Sequence, residues 1–216
     1  MIHFQTASGI ANPIAYIGQT LRLHDRVFMV DAMSSFGAIP LDMKVMNIDV
    51  MVSSSNKCIE GVPGFSYVLV KRDMLEASEG ASHSVVLDLF EQWRGLNANG
   101  QFRFTPPTHA LAAFHQALKE HEKQGGVEGR GRRYTQNAQV LVKGMRDMGF
   151  ATLLNDNEAG PIIQTFLTPR DANFHFEKFY EALRLRGLAI YPGRLTKRSS
   201  FAYGNIGQIA EAVTRS

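Results

Sequence analysis

Val27-Phe28-Met29-Val30-Asp31 and, further on, Ile48-Asp49-Val50-Met51-Val52-Ser53-Ser54-Ser55-Asn56-Lys57 decide how this chain is read. Each opens with a short apolar run rich in β-branched residues and closes on small polar residues, the pattern of a buried strand running into a loop. Ahead of the first, Asn12-Pro13 is a helix start, a capping side chain with proline at the first helical position, and Ile14, Ile17 and Leu21 then repeat on one face. Helix, strand, crossover and strand in this order predict a parallel sheet covered by helices, an α/β fold. In such sheets ligands gather beyond the carboxyl ends of the strands, where Asp31 and Lys57 fall.

Outward from that centre, Gly61-Val62-Pro63-Gly64 breaks the chain and Phe65 to Val70 forms another strand. Asp73 to Pro107 has weak periodicity and is expected to be irregular and partly helical. Thr108 is an N-cap candidate for a helix carrying Leu111, Phe114 and Leu118, closing near Gly125-Gly126. A second helix carries Tyr134, Ala138, Leu141, Val142 and Met145 and stops at Gly149. Beyond it, apolar runs at 150–154, 162–166, 188–191 and 201–203 and a helix with Phe176, Phe179, Tyr180 and Leu183 describe a small α+β unit. Two unequal domains are therefore expected, 1–126 and 127–216. Met1-Ile2-His3-Phe4 reads like a strand cut at its beginning, and a sheet of three or four strands leaves edges and a face to cover, as if the chain were the back part of something larger.

Composition narrows the function. With 216 residues, 44% hydrophobic and 20% charged, and with no long apolar stretch, neither a membrane span nor a secretion leader is expected. A single cysteine, Cys58, rules out an internal disulfide framework and fits a reducing compartment, the cytoplasm by default. A formal charge of +3 is too small to argue for nucleic acid, and Arg130, Arg132 and Arg133 are interleaved with glycine, as at a solvated helix entry. Histidines at 109, 115 and 121 scatter around a helix, off the i, i+4 spacing of a metal site. Cys58 reads as a small buried side chain, and the serines at 34–35 and 53–55 lack the glycine elbow of a hydrolase; their hydroxyls are expected on backbone or cofactor oxygens.

A Schiff-base lysine together with a carboxylate that keeps a pyridinium nitrogen protonated is the minimum protein equipment of a pyridoxal phosphate enzyme, and Lys57 with Asp31 supplies both. On spacing alone the same pair also fits solvated loop charges. The stretch from Trp93 to Thr108 fits either a proline-stiffened surface loop or a binding loop.

Ordered motifs add to this. Val30-Asp31-Ala32-Met33-Ser34-Ser35-Phe36-Gly37, Ser55-Asn56-Lys57-Cys58-Ile59-Glu60-Gly61-Val62-Pro63-Gly64, Arg103-Phe104-Thr105-Pro106-Pro107-Thr108-His109, Tyr191-Pro192-Gly193 and Gly204-Asn205-Ile206-Gly207 follow one another along the chain. Together they closely resemble the 2-aminoethylphosphonate:pyruvate aminotransferases, a family of class V, fold-type I enzymes. The resemblance implies a partial fold-type I large domain followed by a small α+β C-terminal domain. It implies that Lys57 holds pyridoxal 5'-phosphate as a Schiff base and then moves the proton, that Asp31 pairs with the pyridinium nitrogen, and that the products are phosphonoacetaldehyde and L-alanine. Thr105 would reach the cofactor phosphate from a partner subunit, so a homodimer is implied, and His3 and Thr6 match a motif beside the cofactor ring.

The sequence departs from the family in three ways. Family members begin earlier, and that front part supplies the rest of the sheet, a phosphate-binding loop and a stacking aromatic ring. An arginine expected to bind the substrate's anionic group is replaced by Ala202, and a methyl group cannot imitate a planar, doubly donating guanidinium. The family's glutamate after the histidine is Gln5, and the chain stops at Ser216 ahead of the family's last helix. Two expectations stand side by side: an aminotransferase acting on a small aminophosphonate, or a non-catalytic fragment or partner of a full-length subunit.

Overall fold

The computed structural model describes residues 1–192 and 198–209. Its elements in chain order are β1 (Phe4–Gln5), β2 (Ile10–Ala11), α1 (Ile14–Leu23), β3 (Met29–Asp31), β4 (Val50–Ser54), β5 (Ser66–Val70), α2 (Arg72–Glu76), α3 (Leu89–Asn99), α4 (Thr108–Lys123), α5 (Gly126–Asp147), β6 (Ile163–Leu167), α6 (Phe176–Arg184), β7 (Tyr191–Pro192) and β8 (Ser200–Gly204).

The central sheet has the order β3-β4-β5, with β3 and β4 parallel and β5 antiparallel to β4. Both apolar runs do become strands, each shifted toward its polar end, so Asp31 closes β3 instead of following it. The antiparallel β5 has a simple cause. Residues 55–65 hold no helix, and a link of that length returns the chain beside itself more readily than it crosses over. Val30 and Met51 face one side of this sheet, where α1 packs through Ile14, Ile17 and Leu21 as its spacing predicts. Ile14, Phe28, Val30, Ala32, Ile48 and Met51 form the core there, and each such large apolar side chain removed from water contributes roughly 1.5–3 kcal/mol. The other side carries Asp31, Val52 and Val68, partners in one row of the ladder.

Two helix starts differ from expectation. Asn12 does not cap α1; its side-chain amide donates to the Ile2 carbonyl (2.8 Å), and the cap position is Pro13. Likewise Thr108 is the first residue of α4, with Pro107 before it and no side-chain cap. In both cases proline fixes the entry, and at the first of them the Asn12 side chain is released to bond Ile2.

The long α5 runs through two cores. Tyr134 packs with Phe4, Ala38, Cys58 and Ile162, while Leu141 and Met145 pack with Phe166, Ile190 and Phe201 under α6. The second sheet has the order β6-β8-β7, antiparallel throughout. Phe176, Phe179, Tyr180 and Leu183 of α6 cover it, as their periodicity predicts. The run at 150–154 forms no strand and makes one isolated bridge, Thr152 to Phe166. Gly193, part of the Tyr191-Pro192-Gly193 motif, lies outside the described residues.

No helix among the described residues is long and apolar enough to cross a membrane.

Candidate active site

Asp31 and Lys57 come together at one end of the central sheet because β3 and β4 are parallel neighbours. Asp31 is paired with Val52 in the ladder, and Lys57 lies three residues past the last residue of β4. The turns that follow the two strands touch: the Cys58 thiol donates to the Ser34 carbonyl (3.3 Å), and Ile59 packs against Gly37. Gly37 has φ +98°, and a Cβ there would come within 2.5 Å of Ile59, so glycine is required both for the turn and for this closeness. Both Asp31 and Lys57 are half-buried. Among the described residues they form no ion pair with each other.

The Asp31 backbone is held from both flanks. On one side is β4; on the other the Asp31 N–H donates to the Met1 carbonyl and its carbonyl accepts from His3 N–H, each at 2.8 Å. Its Oδ1 accepts from the Met33 N–H (2.9 Å), while Oδ2 has no hydrogen-bond donor among the described residues. His3, next to it, is buried, and its Nδ1 lies 2.9 Å from the Ser35 hydroxyl. Burial lowers the His3 pKa from its ordinary value and favours the neutral imidazole.

The serines divide the work. Ser53 bonds to the Ala32 carbonyl and Ser55 to the carbonyls of Val62 and Phe65, which fastens the turn carrying Lys57. Ser54 is buried and its hydroxyl has no partner among the described residues. By strand alternation it shares a sheet face with Val52 and Asp31. Cys58 is buried, as its residue type predicts, and desolvation pushes its thiol up to about 12, so it is no nucleophile near neutral pH.

Arg130 and Arg133 overturn their reading as a solvated helix entry. Arg130 is 1% exposed and lies 3.3 Å from Glu60 Oε2; Arg133 pairs with Glu60 Oε1. Only Arg132 faces water as expected. Glycines at 129 and 131 let α5 pack closely on its surroundings; a Cβ at Gly131 would fall 2.4 Å from the Ala38 carbonyl oxygen. What sequence reasoning missed is that the glycines permit burial of Arg130 between them, and that Glu60 in the lysine segment is the partner of both Arg130 and Arg133. Among the histidines, His121 uses Nε2–H to bond the Gly37 carbonyl (2.6 Å), whereas His109 and His115 are exposed. The described residues contain no cluster suited to a metal ion.

Thr6 is exposed in the β1–β2 turn, three residues past His3, and Thr105 is exposed in the segment before α4. Neither makes a side-chain hydrogen bond among the described residues. Ala202 sits in β8 opposite Thr165, whose hydroxyl donates to the Ala7 carbonyl (3.4 Å). Ladder partners share a face, so Ala202 lies on the side of the second sheet that looks toward the Thr6 turn.

Comparison with known proteins matches this arrangement to one family. The family model for Aminotransferase class-V covers residues 1–211. The chain is 50% identical over 209 residues to a 2-aminoethylphosphonate–pyruvate transaminase of Rhizobium meliloti (strain 1021), covering 97% of this chain and 55% of that one. It is 47% identical over 213 residues to the transaminase of the same name from Salmonella paratyphi C (strain RKS4594), covering 98% and 58%. The chain thus spans a little over half the length of the curated relatives it matches. Among solved structures, pyridoxamine-pyruvate aminotransferase from Mesorhizobium loti superposes with a TM-score of 0.86 at 24% identity, over 100% of this chain and 55% of that one. Ureidoglycine-glyoxylate aminotransferase from Bacillus subtilis gives 0.84 at 21% identity, over 96% and 54%. The fold is therefore the large-domain and small-domain arrangement of fold-type I aminotransferases in part, and the chain belongs to the class-V aminotransferase family.

Proposed function

We propose that this chain carries the lysine half of an aminotransferase site that moves the amino group of 2-aminoethylphosphonate to pyruvate, with pyridoxal 5'-phosphate as cofactor. The observation that carries the reading is the joint placement of Asp31, Ser54 and Lys57 at one end of two adjacent parallel strands. The residues fit the cofactor. Asp31 Oδ2, without a donor among the described residues, would take a ring N–H, and the buried Ser54 hydroxyl, without a partner among the described residues, would suit a phosphate oxygen. In this reading residues 1–126 form the cofactor-binding part and 127–216 the small domain.

When bound, the cofactor supplies a sink for electrons released at the carbon bearing the substrate amine. The chain's residues do the rest. Asp31 would accept the ring N–H and keep that nitrogen protonated. Lys57 Nζ would hold the cofactor and, once displaced by the substrate amine, would take the proton from the amine-bearing carbon as general base. The Ser54 hydroxyl would donate toward the phosphate. Neutral His3, held by Ser35, walls the site beside Asp31 without adding a cation.

A homodimer belongs to the same proposal. Val85, Val86, Leu87, Phe102 and Phe104 are each roughly half to three-quarters exposed, and Thr105 lies beside the last of them. An apolar set of this size suits a subunit contact, from which Thr105 would reach a partner's site.

One observation favours a second reading. The face toward the Thr6 turn presents the methyl of Ala202 where the family resemblance implies a guanidinium, which fits a subunit that holds cofactor without turning over a phosphonate. One experiment decides whether the lysine is functional. Purified protein mixed with pyridoxal phosphate is expected to develop a visible band that borohydride bleaches, leaving the phosphopyridoxyl mass on the Lys57 peptide; Lys57→Ala is expected to lose both. A folded protein that shows neither overturns the proposal.

A further inference from the structure

Glu60 closes the turn that carries Lys57. Its N–H donates to the Lys57 carbonyl (2.8 Å), and the Gly61 N–H returns to the Ser55 carbonyl (2.9 Å), so residues 55–61 form one compact loop. Glu60 has φ +62°, a left-handed conformation that a residue with a side chain keeps only where its surroundings over-determine it.

The carboxylate provides that determination. Oε1 accepts from the Tyr134 hydroxyl (2.6 Å), from the Gly207 N–H (3.1 Å) and from Arg133; Oε2 faces Arg130 at 3.3 Å and the Gln208 amide at 3.4 Å. Arg130 also donates to the Cys58 carbonyl within the same turn. The Glu60 side chain is 12% exposed, so these bonds are little diluted by water. The donors come from two separate parts of the fold: α5, and the 204–209 segment that leaves β8. From the far side, the Asn137 amide on α5 donates to the Ile209 carbonyl (2.8 Å) and clamps that segment again.

We propose that Glu60 is a positioning residue whose carboxylate fastens the Lys57 turn to the 204–209 segment, so that the reach of Lys57 Nζ and the placement of β8, the strand carrying Ala202, are set together. The proposal rests on the reading of Lys57 above only for its catalytic meaning; the coupling itself is a property of the chain without cofactor. A movement of β8 toward a bound substrate is then transmitted to the lysine through one carboxylate.

The test uses the cofactor-free chain and two readouts, amide hydrogen exchange and acetylation of Lys57 measured by mass spectrometry against the exposed Lys178 in the same molecule. In Glu60→Gln, exchange at 57–61 and at 204–209 is expected to rise together by about tenfold, with α1 unchanged, because one charge-assisted bond is lost from each side. Lys57 acetylation is expected to rise severalfold while Lys178 stays constant. Glu60→Gln leaves one buried and one half-buried guanidinium without their counter-charge, so Tyr134→Phe and Asn137→Ala carry the same measurement in milder form. Asn137→Ala touches only the 209 end, yet Lys57 acetylation is expected to change with it. The proposal is overturned if 204–209 loosens in Tyr134→Phe and Asn137→Ala while Lys57 labelling and exchange at 57–61 match the unaltered protein. Failure of pyridoxal phosphate to attach at Lys57 would overturn the functional reading alone, because the labelling uses no cofactor.

Discussion

Single side chains set what this site does and when the fold holds. The Cys58 thiol, pushed up to about 12 by burial, keeps its proton in the folded state, whereas the unfolded chain gives it up near 9.0. The buried Tyr134 hydroxyl is shifted in the same direction, by burial first. The unfolded state therefore binds fewer protons between those values. Stability is fully present below pH 9 and declines as pH climbs toward 12, with a slope for Cys58 of at most about 1.4 kcal/mol per pH unit. Urea midpoints at pH 8, 9.5 and 10.5 check this, and Cys58→Ala is expected to flatten the dependence. In the proposed reading, Ala202→Arg is expected to improve the apparent KM for 2-aminoethylphosphonate by about tenfold or more, since a charge-assisted bond to an anion is worth about 1.5–3 kcal/mol. Steady-state kinetics on the cofactor-loaded protein would show it; an unchanged KM would mean that the anionic group binds elsewhere. The placement of Asp31 and Lys57 at neighbouring strand ends was legible because those ends are written in apolar runs. That Ser54 is the buried hydroxyl without a partner among the described residues was not, because three adjacent serines look alike until alternation and burial separate them.

At the scale of elements, close approach matters more than propensity. Gly18 sits in α1, where alanine is the better helix former by about 1 kcal/mol. A Cβ there would lie 1.9 Å from the Met46 carbonyl oxygen and 3.2 Å from the Phe28 ring, so the helix would have to lift from the turn that carries Met46. Gly18→Ala is expected to destabilise the protein by about 1–3 kcal/mol despite its propensity, a fall in the thermal midpoint measurable by circular dichroism. The apolar periods of α1, α5 and α6 made these helices readable, since a helix face that packs on a sheet must repeat. Helix starts were harder. Asn12 and Thr108 had the right residue types, but proline at the entry left the side chain of Asn12 to bond Ile2, a contact ten residues away that no local pattern encodes. The antiparallel direction of β5 likewise follows from the link before it and not from the strand's own residues.

The whole molecule presents more apolar surface than its cores explain. Val85, Val86 and Leu87 precede α3, and Phe102 and Phe104 follow it, all well exposed. If this is the subunit contact, sedimentation is expected to show concentration-dependent self-association, and Phe102→Asp with Phe104→Asp is expected to shift the chain toward monomer without lowering its melting temperature. The two separate sheets were visible in the sequence as two groups of apolar runs, one before and one after the paired helices α4 and α5. The joint between the parts was not, because Glu60 and its arginines are about seventy residues apart and their charges read individually as surface.

That joint also constrains how the sequence drifts over generations. Losing Glu60 strands two cations, and losing Arg130 leaves the carboxylate and the Cys58 carbonyl short of a donor; breaking a buried pair from one side carries a penalty of about 3–5 kcal/mol. Positions 60, 130 and 133 are thus expected to be inherited as a block, replaced in concert or kept. A lineage in which they had come apart one at a time would be one in which the lysine no longer mattered.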